Sequence, residues 1–297
     1  MPRRALGRTG LEVSIVGLGA GRIGEASQDE RAIERLLHGA LDRGVNVIDT
    51  ARSYGCSEER LGRLLGARRD EYVLSTKVGY GVDGVPDWTA RCVREGIDAA
   101  LARMGTDRVD LVFLHSCPRD VLERGEVVEA LRSAVTAGKV RAAGYSGENE
   151  ELAWALASGA FEVVQCSVSL ADQRALRDAL PLAQQRSVGV LAKRPLADFA
   201  FRHEARPVAD DVAIYWERLR AMALDGAREA PAIGWGELAL RFTAFAPGVD
   251  TAIVGTSSLT HLDEALEWAS RGPLEAERVR AIAAAFDAQG AGWRGVV

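Results

Sequence analysis

The sequence predicts an α/β fold in which eight strand-helix units close into a (β/α)8 barrel. Short strand-like segments alternate with helical segments along almost the whole chain. The strand-like segments are nearly continuous apolar runs, which is typical of parallel strands buried on both faces. A hairpin precedes the first unit, and one long segment interrupts the seventh. Length alone would also allow two domains, but no linker divides the repeat, so we expect one domain over residues 1–297.

The chain opens with the predicted hairpin, in residues 5–20. Gly7 and Gly10 supply turn residues, and the run 11–19 then alternates into the first core strand. Apolar residues at helical spacing follow in 33–41, and the next strand begins after them. This first unit sets the pattern for the remaining ones.

The later elements are predicted by the same two periodicities. The predicted strands are 45–48, 72–77, 111–115, 140–146, 163–166, 188–193 and 251–254. The predicted helices are 58–65, 89–104, 127–137, 150–157, 174–185, 233–245, 261–269 and 274–288.

One segment, between Pro195 and Pro231, is too long to be a simple connection. It contains a helical pattern near 212–223. We therefore expect an insertion between the seventh barrel strand and its helix, lying over the rim of the barrel.

Composition excludes several classes of function. Charged residues make up 27% of the chain, the net charge is −5 and the two signs are interspersed, so no basic surface for nucleic acid is indicated. The four cysteines are scattered without a CxxC pair, which argues against a zinc site or a disulfide framework. No signal-peptide core or membrane-spanning run is present. We expect a cytoplasmic protein that binds a small molecule, with no metal and no membrane partner; its oligomeric state is open, and a monomer fits.

Three successive strands end in side chains that exchange or orient protons. Asp49 and Tyr54 follow the strand at 45–48, Lys77 ends the next strand and His115 ends the one after. The carboxyl ends of parallel barrel strands meet at one rim, where barrel enzymes carry out their chemistry. Each residue alone has an ordinary structural explanation, such as a turn cap or a core histidine. Their joint placement predicts an active site.

These motifs resemble the aldo-keto reductases. The matching segments are DTARSYG with Asp49 and Tyr54, LSTK with Lys77 and FLHS with His115, and the resemblance covers nearly the whole chain. It implies NAD(P)H-dependent reduction of aldehydes or ketones to alcohols. Tyr54 would donate the proton, assisted by the Lys77 cation, because a nearby cation favours a phenolate. Asp49 would hold Lys77, and His115 would orient the substrate oxygen.

A second motif, Gly19-Ala-Gly-Arg-Ile-Gly24, fits the G-x-G-x-x-G pattern of dinucleotide-binding doubly wound sheets. In that fold the glycines open a helix directly, whereas here residues 25–28 intervene. We interpret the glycines as a tight turn. By the resemblance, Gly19 and Ala20 would still lie near the nicotinamide.

The resemblance also implies cofactor residues. Ser146 and Gln165 match the family's carboxamide anchors, but Gly147 stands where the family has Asn. Lys193 occupies the position of an aromatic ring that often stacks on the nicotinamide. Arg194 would contact the pyrophosphate, and Leu196 follows it in the same loop.

The end of the last strand resembles the family's phosphate-binding turn, formed here by Gly255, Thr256 and Ser257 at a helix start. Glu264 matches an adenine-side carboxylate. His261 replaces the Arg that grips the 2′-phosphate of NADP, and Gly255 replaces a neighbouring Lys. NADP(H) is expected on family grounds, with NAD(H) as the alternative.

Trp88 and Trp293 are candidate walls of the substrate pocket, and ordinary aromatic packing is an equally good explanation for both.

Two other functions stay open. Some relatives act as partners of membrane channels, which suggests a cofactor-binding regulatory subunit with little turnover. The turn at 255–258 would also suit a phosphate-binding barrel isomerase.

Overall fold

Eight parallel strands form a closed barrel in this computed structural model, which describes residues 1–224 and 233–297. Neighbours around the barrel follow chain order, and the last strand pairs with the first, so the predicted fold class is confirmed. The barrel strands are β3 Val16–Gly19, β4 Val47–Asp49, β5 Val73–Val78, β6 Val109–His115, β7 Val140–Ser146, β8 Val163–Ser167, β9 Gly189–Lys193 and β10 Thr251–Gly255.

The helices of the described residues follow the predicted positions closely. They are α1 Glu30–Asp42, α2 Ser57–Leu65, α3 Ala90–Met104, α4 Arg119–Arg124, α5 Glu126–Thr136, α6 Asn149–Ser158, α7 Arg174–Asp178, α8 Leu180–Gln185, α9 Asp210–Met222, α10 Trp235–Ala244, α11 Leu259–Ser270 and α12 Ala276–Gln289. Their apolar faces pack on the outside of the strands and form most of the buried core.

Two helical details differ from the prediction. The helix predicted over 174–185 is broken at Ala179, whose φ and ψ are −121° and −47°. Pro181 explains the break, because its ring would clash with the preceding turn of a continuous helix and it lacks an N–H group. At the start of α8 the same proline is well tolerated. The short helix α4, which ends at Gly125 with φ +78°, was not predicted.

The N-terminal hairpin closes the amino-terminal end of the barrel. Its strands, β1 Arg3–Ala5 and β2 Glu12–Ser14, pair in antiparallel register. Leu6 in the turn is fully buried and packs with the side chains that fill the barrel interior. Burial of one such side chain stabilises the fold by about 1.5–3 kcal/mol. The opposite, carboxyl-terminal end is where the predicted site residues lie.

The insertion after β9 begins with a 3-10 turn at Ala197–Arg202 and continues into α9. The helix packs on that turn through buried residues that include Tyr215, and Asp211 and Val212 reach the cavity described below. The predicted helix near 212–223 is therefore confirmed. The part of the insertion from 225 to 231 lies outside the described residues.

All four cysteines fall within the described residues and are free thiols, as expected. Across residues 1–224 and 233–297, no helix combines the length and the apolar character needed to cross a lipid bilayer.

Candidate active site

A buried ion pair joins the ends of β4 and β5. Lys77 Nζ lies 2.8 Å from Asp49 Oδ2 and donates to the Thr50 carbonyl at 2.9 Å. The other Asp49 oxygen accepts from Ser75 Oγ at 2.6 Å. Burial opposes the charged ammonium, but Asp49 and Tyr54 outweigh it and raise the pKa of Lys77. Lys77 is therefore protonated at neutral pH and held in its ion pair with Asp49.

Tyr54 lies on the loop between β4 and α2, with the Lys77 ammonium 5.0 Å from its ring centroid. The loop is held close to the first rim loop. A Cβ atom at Gly24 would lie 1.7 Å from the Tyr54 carbonyl oxygen, and Gly55 adopts a φ of +52°. A Cβ atom at Gly55 would also lie 2.3 Å from the Gly24 carbonyl oxygen, so neither position has room for a side chain. Gly24 is the last glycine of the apparent dinucleotide motif, so its place in the sequence reflects loop packing.

His115 ends β6 beside an aromatic residue that the sequence analysis did not identify. Its Nδ1 lies 2.7 Å from the hydroxyl of Tyr80, and the two rings stack with centroids 5.6 Å apart. Burial, together with the positive charges of Lys77, Lys193 and Arg194, lowers the pKa of His115 to about 3. The imidazole is therefore neutral at physiological pH.

One cavity of about 660 Å³ at the carboxyl-terminal rim collects the four predicted acid-base residues. Seven of the predicted cofactor residues also line it: Gly19, Ser146, Gln165, Lys193, Arg194, Leu196 and Gly255. Ala20, Thr256, Ser257, His261 and Glu264 are not among its lining residues.

Ser146 and Gln165 form a hydrogen-bonded pair in the wall of the cavity. Ser146 Oγ donates to Gln165 Oε1 at 3.0 Å, and Gln165 Nε2 is buried without a partner. An unpaired buried donor costs about 1–3 kcal/mol, so an acceptor from a ligand would be favoured here. A carboxamide oxygen fits this requirement. At Gly147 a Cβ atom would lie 2.4 Å from the Tyr145 hydroxyl, so the family's Asn does not fit beside Tyr145 as it is placed here.

Lys193, in place of a stacking aromatic ring, forms an ion pair with a buried carboxylate. Its Nζ lies 3.1 Å from Glu148 Oε1, which also accepts from the Ser167 amide at 2.8 Å. Glu148 was not identified from sequence. Its burial beside Lys193 fixes the ammonium at the cavity wall.

Arg194 is engaged by the C-terminal segment and by the insertion. It donates to the Val296 carbonyl at 2.6 Å and lies 3.3 Å from Asp198 Oδ2. Val296 in turn donates its amide to Asp172 Oδ2 at 2.9 Å. The guanidinium predicted to contact the pyrophosphate is thus also part of the packing that holds residues near 296.

The predicted phosphate turn precedes α11. Thr256 Oγ1 accepts from the Ser258 amide at 3.0 Å, and Ser258 Oγ accepts from the His261 amide at 3.4 Å, which caps the helix. His261 and Glu264 are exposed on α11. The helix start next to Gly255 therefore offers the backbone amides and positive dipole that anions prefer.

The two tryptophans predicted for the substrate pocket do not line the cavity. Trp88 packs edge-on against Tyr80 at 5.9 Å between centroids. Trp293 packs edge-on against Phe286 at 5.4 Å and lies under the guanidinium of Arg218. Both have the packing role that the sequence left open.

Comparison with known proteins identifies the family to which the chain is similar. The sequence model of the aldo/keto reductase family matches residues 15–287. L-galactose dehydrogenase of Arabidopsis thaliana is 30% identical, with 88% of this chain and 86% of that protein covered. D-threo-aldose 1-dehydrogenase of a Pseudomonas species is 28% identical, with 90% and 92% covered. The holo form of an aldo-keto reductase from Bacillus halodurans superposes with a TM-score of 0.82 at 26% identity, covering 96% of each chain.

The family match extends through every barrel strand from β3 to β10 and is not confined to the three motifs around the rim. The similarity of whole chains and the shared barrel agree with it. This chain is accordingly a member of the aldo-keto reductase family of oxidoreductases.

Proposed function

We propose that this protein reduces aldehydes or ketones to alcohols with a reduced nicotinamide dinucleotide, and that Tyr54 is the proton donor. The observation that supports this most strongly is the buried Asp49–Lys77 pair beside Tyr54, in the cavity that His115 also lines. A charged lysine next to a phenol stabilises the phenolate that remains after proton transfer. Structural ion pairs are also common, but they rarely face a cavity together with two further proton-handling groups.

Each of the four acid-base residues has its own role in the proposed reaction. Lys77 keeps its charge because Asp49 compensates its burial. Tyr54 gives its proton to the oxygen of the substrate carbonyl as negative charge develops there. His115, being neutral, offers a hydrogen bond to the same oxygen without adding a charge. The pair Asp49 and Lys77 is in place before any substrate arrives, so little reorganisation is needed.

When bound, the dinucleotide supplies the hydride that no protein side chain can provide. Gln165 Nε2 and Ser146 would hold its carboxamide, and the start of α11 would hold a phosphate group. NADP(H) is our first choice on family grounds. Because His261 and Gly255 replace the family's cations, NAD(H) is the alternative, and initial rates with the two reduced cofactors distinguish them.

Aldoses are the first substrates to test, in both the oxidative and the reductive direction, because two relatives are named as dehydrogenases, that is for oxidation, of L-galactose and of D-threo-aldoses. A sugar aldehyde would present the carbonyl to Tyr54 and its hydroxyl groups to the polar wall that includes Asp198. Simple aldehydes and ketones belong in the same panel, because an open pocket would accept them as well.

The test is turnover of this panel, followed by consumption of the reduced cofactor for carbonyl reduction and by formation of the reduced cofactor for oxidation of the aldoses. Tyr54→Phe is expected to lower kcat at least about 100-fold, since it removes the proton donor. Cofactor binding, followed by nicotinamide fluorescence, should be unchanged. Tyr72→Phe is a matched control, because Tyr72 precedes β5 at the opposite end of the barrel.

Two outcomes would contradict the proposal. Binding of cofactor with no turnover of any carbonyl compound would favour the alternative of a regulatory partner subunit. The absence of any fluorescence change with either cofactor would favour a barrel enzyme of another type, such as a phosphate-binding isomerase.

A further inference from the structure

Tyr80 lies behind His115 and outside the cavity lining. Its ring is fixed on two sides, stacking on His115 with an interplanar angle of 26° and meeting Trp88 edge-on at 63°. Gly79 makes this packing possible, because a Cβ atom there would lie 2.2 Å from the Trp88 ring. The position of the Tyr80 hydroxyl is therefore set by the protein before any ligand binds.

The distances favour one direction for the hydrogen bond between Tyr80 and His115, with the phenol as the donor. The Tyr80 hydroxyl has two polar neighbours, His115 Nδ1 at 2.7 Å and Ser53 Oγ at 3.4 Å. If Nδ1 carried the proton, the phenol would have to accept in its shortest hydrogen bond, and its own proton would be left to solvent or to Ser53 Oγ at 3.4 Å, beyond the usual range of about 2.5–3.0 Å. Donation from Tyr80 to an unprotonated Nδ1 makes the short bond with the phenol in its favourable role as donor.

We propose that Tyr80 is a positioning residue that holds His115 in the tautomer with its proton on Nε2. A neutral imidazole has one donor and one acceptor nitrogen, so occupation of Nδ1 as an acceptor leaves Nε2–H as the donor. This inference rests on the proposed function for its catalytic meaning. Nε2–H can donate to a substrate carbonyl oxygen, whereas the other tautomer would set a lone pair against that oxygen.

The proposal is tested by nitrogen NMR of the histidine rings at neutral pH. The chain has four histidines, and a His115→Asn variant assigns the signals of interest. In the wild-type protein without substrate, His115 should carry its proton on Nε2. In Tyr80→Phe the two ring nitrogen shifts should move towards each other as the tautomers mix. Ser53→Ala is the matched control and should leave the signals unchanged.

Activity gives the second measurement. Loss of one hydrogen bond of ordinary strength should lower kcat of Tyr80→Phe by roughly 3- to 10-fold while the KM for cofactor stays the same. A wild-type His115 protonated on Nδ1 would overturn the proposal. So would a Tyr80→Phe variant with unchanged ring signals or unchanged kcat.

The tautomer is read without substrate, so the two proposals can fail separately. A wild-type protein with Nε2–H on His115 but no turnover would refute the proposed function and leave the tautomer assignment intact. If Tyr80→Phe does not fold, the wild-type spectrum alone decides which nitrogen carries the proton.

Discussion

Replacing Asp49 by asparagine should destabilise the protein strongly while hardly changing its shape. The Lys77 side chain is 1% exposed, and its only described counter-charge within ion-pair distance is Asp49. Removing one partner of a buried ion pair costs about 3–5 kcal/mol, because the remaining charge is left uncompensated. For a chain of this size the expected drop in melting temperature is about 5–10 °C. Thermal unfolding followed by circular dichroism measures it.

The loss of stability in Asp49→Asn should depend on pH, and the direction of this dependence follows from the pKa of Lys77. Without Asp49, burial should lower the pKa of Lys77, so the folded variant binds fewer protons than the unfolded chain. Stability of Asp49→Asn should then rise with pH towards the ordinary lysine value of 10.5. This would bring the variant closer to the wild-type protein in alkaline buffer.

A second substitution separates charge from packing. In Asp49→Asn with Lys77→Met no charge is buried at this position, so the double variant should recover most of the about 3–5 kcal/mol that Asp49→Asn alone loses. The reasoning would be refuted by an Asp49→Asn variant that melts with the wild-type protein. A double variant less stable than the single one would refute it too.

Three further predictions concern other residues of the site. Because the pKa of His115 is lowered to about 3, the pH profile of kcat/KM should have no limb near 6.5, and a limb that disappears in His115→Asn would contradict this. Burial and the charge of Glu148 raise the pKa of Asp172 from 3.8 to about 6. Between these two pH values the folded state binds more protons than the unfolded chain. Up to about 3 kcal/mol of folding stability is therefore lost as the pH rises from 3.8 to about 6. Asp172→Asn should flatten the dependence in urea unfolding, and an unchanged slope would exclude this carboxyl as its source. Gln165→Met should weaken cofactor binding roughly 10-fold in fluorescence titrations, because it removes the unpaired Nε2 donor. It should lower the melting temperature only by the loss of the one hydrogen bond from Ser146 to Oε1. Equal affinity would show that the amide is not an anchor.

The barrel and its acid-base residues could be predicted because both depend on local pattern. Apolar strands and amphipathic helices each have a period that the chain repeats, and the carboxyl ends of parallel strands must share one rim. Asp49, Lys77 and His115 lie at such ends, so their convergence followed from the fold class alone. The break at Pro181 was also present in the sequence, and proline chemistry would have located it.

Other features depend on contacts between distant segments. Tyr80 meets His115 across 35 positions of sequence, and Asp172 meets Val296 across 124. Nothing in the local pattern distinguishes these residues from ordinary loop residues. The exclusion of a side chain at Gly147 likewise depends on where the Tyr145 ring comes to lie. Such pairs are fixed by tertiary packing, which single-sequence periodicity does not record.

The contact of Gly24 with the Tyr54 backbone constrains how this enzyme can change. A mutation that gives residue 24 any side chain would displace the loop that carries Tyr54. A change of sequence in the first rim loop, which contains Gly24, therefore requires a matching change in the second, which contains Tyr54. In protein engineering, a loop transplanted from a relative at one of these positions would have to bring its companion with it. Variation in substrate preference is more accessible through the segment after β9, whose described residues include no glycine held in such a contact.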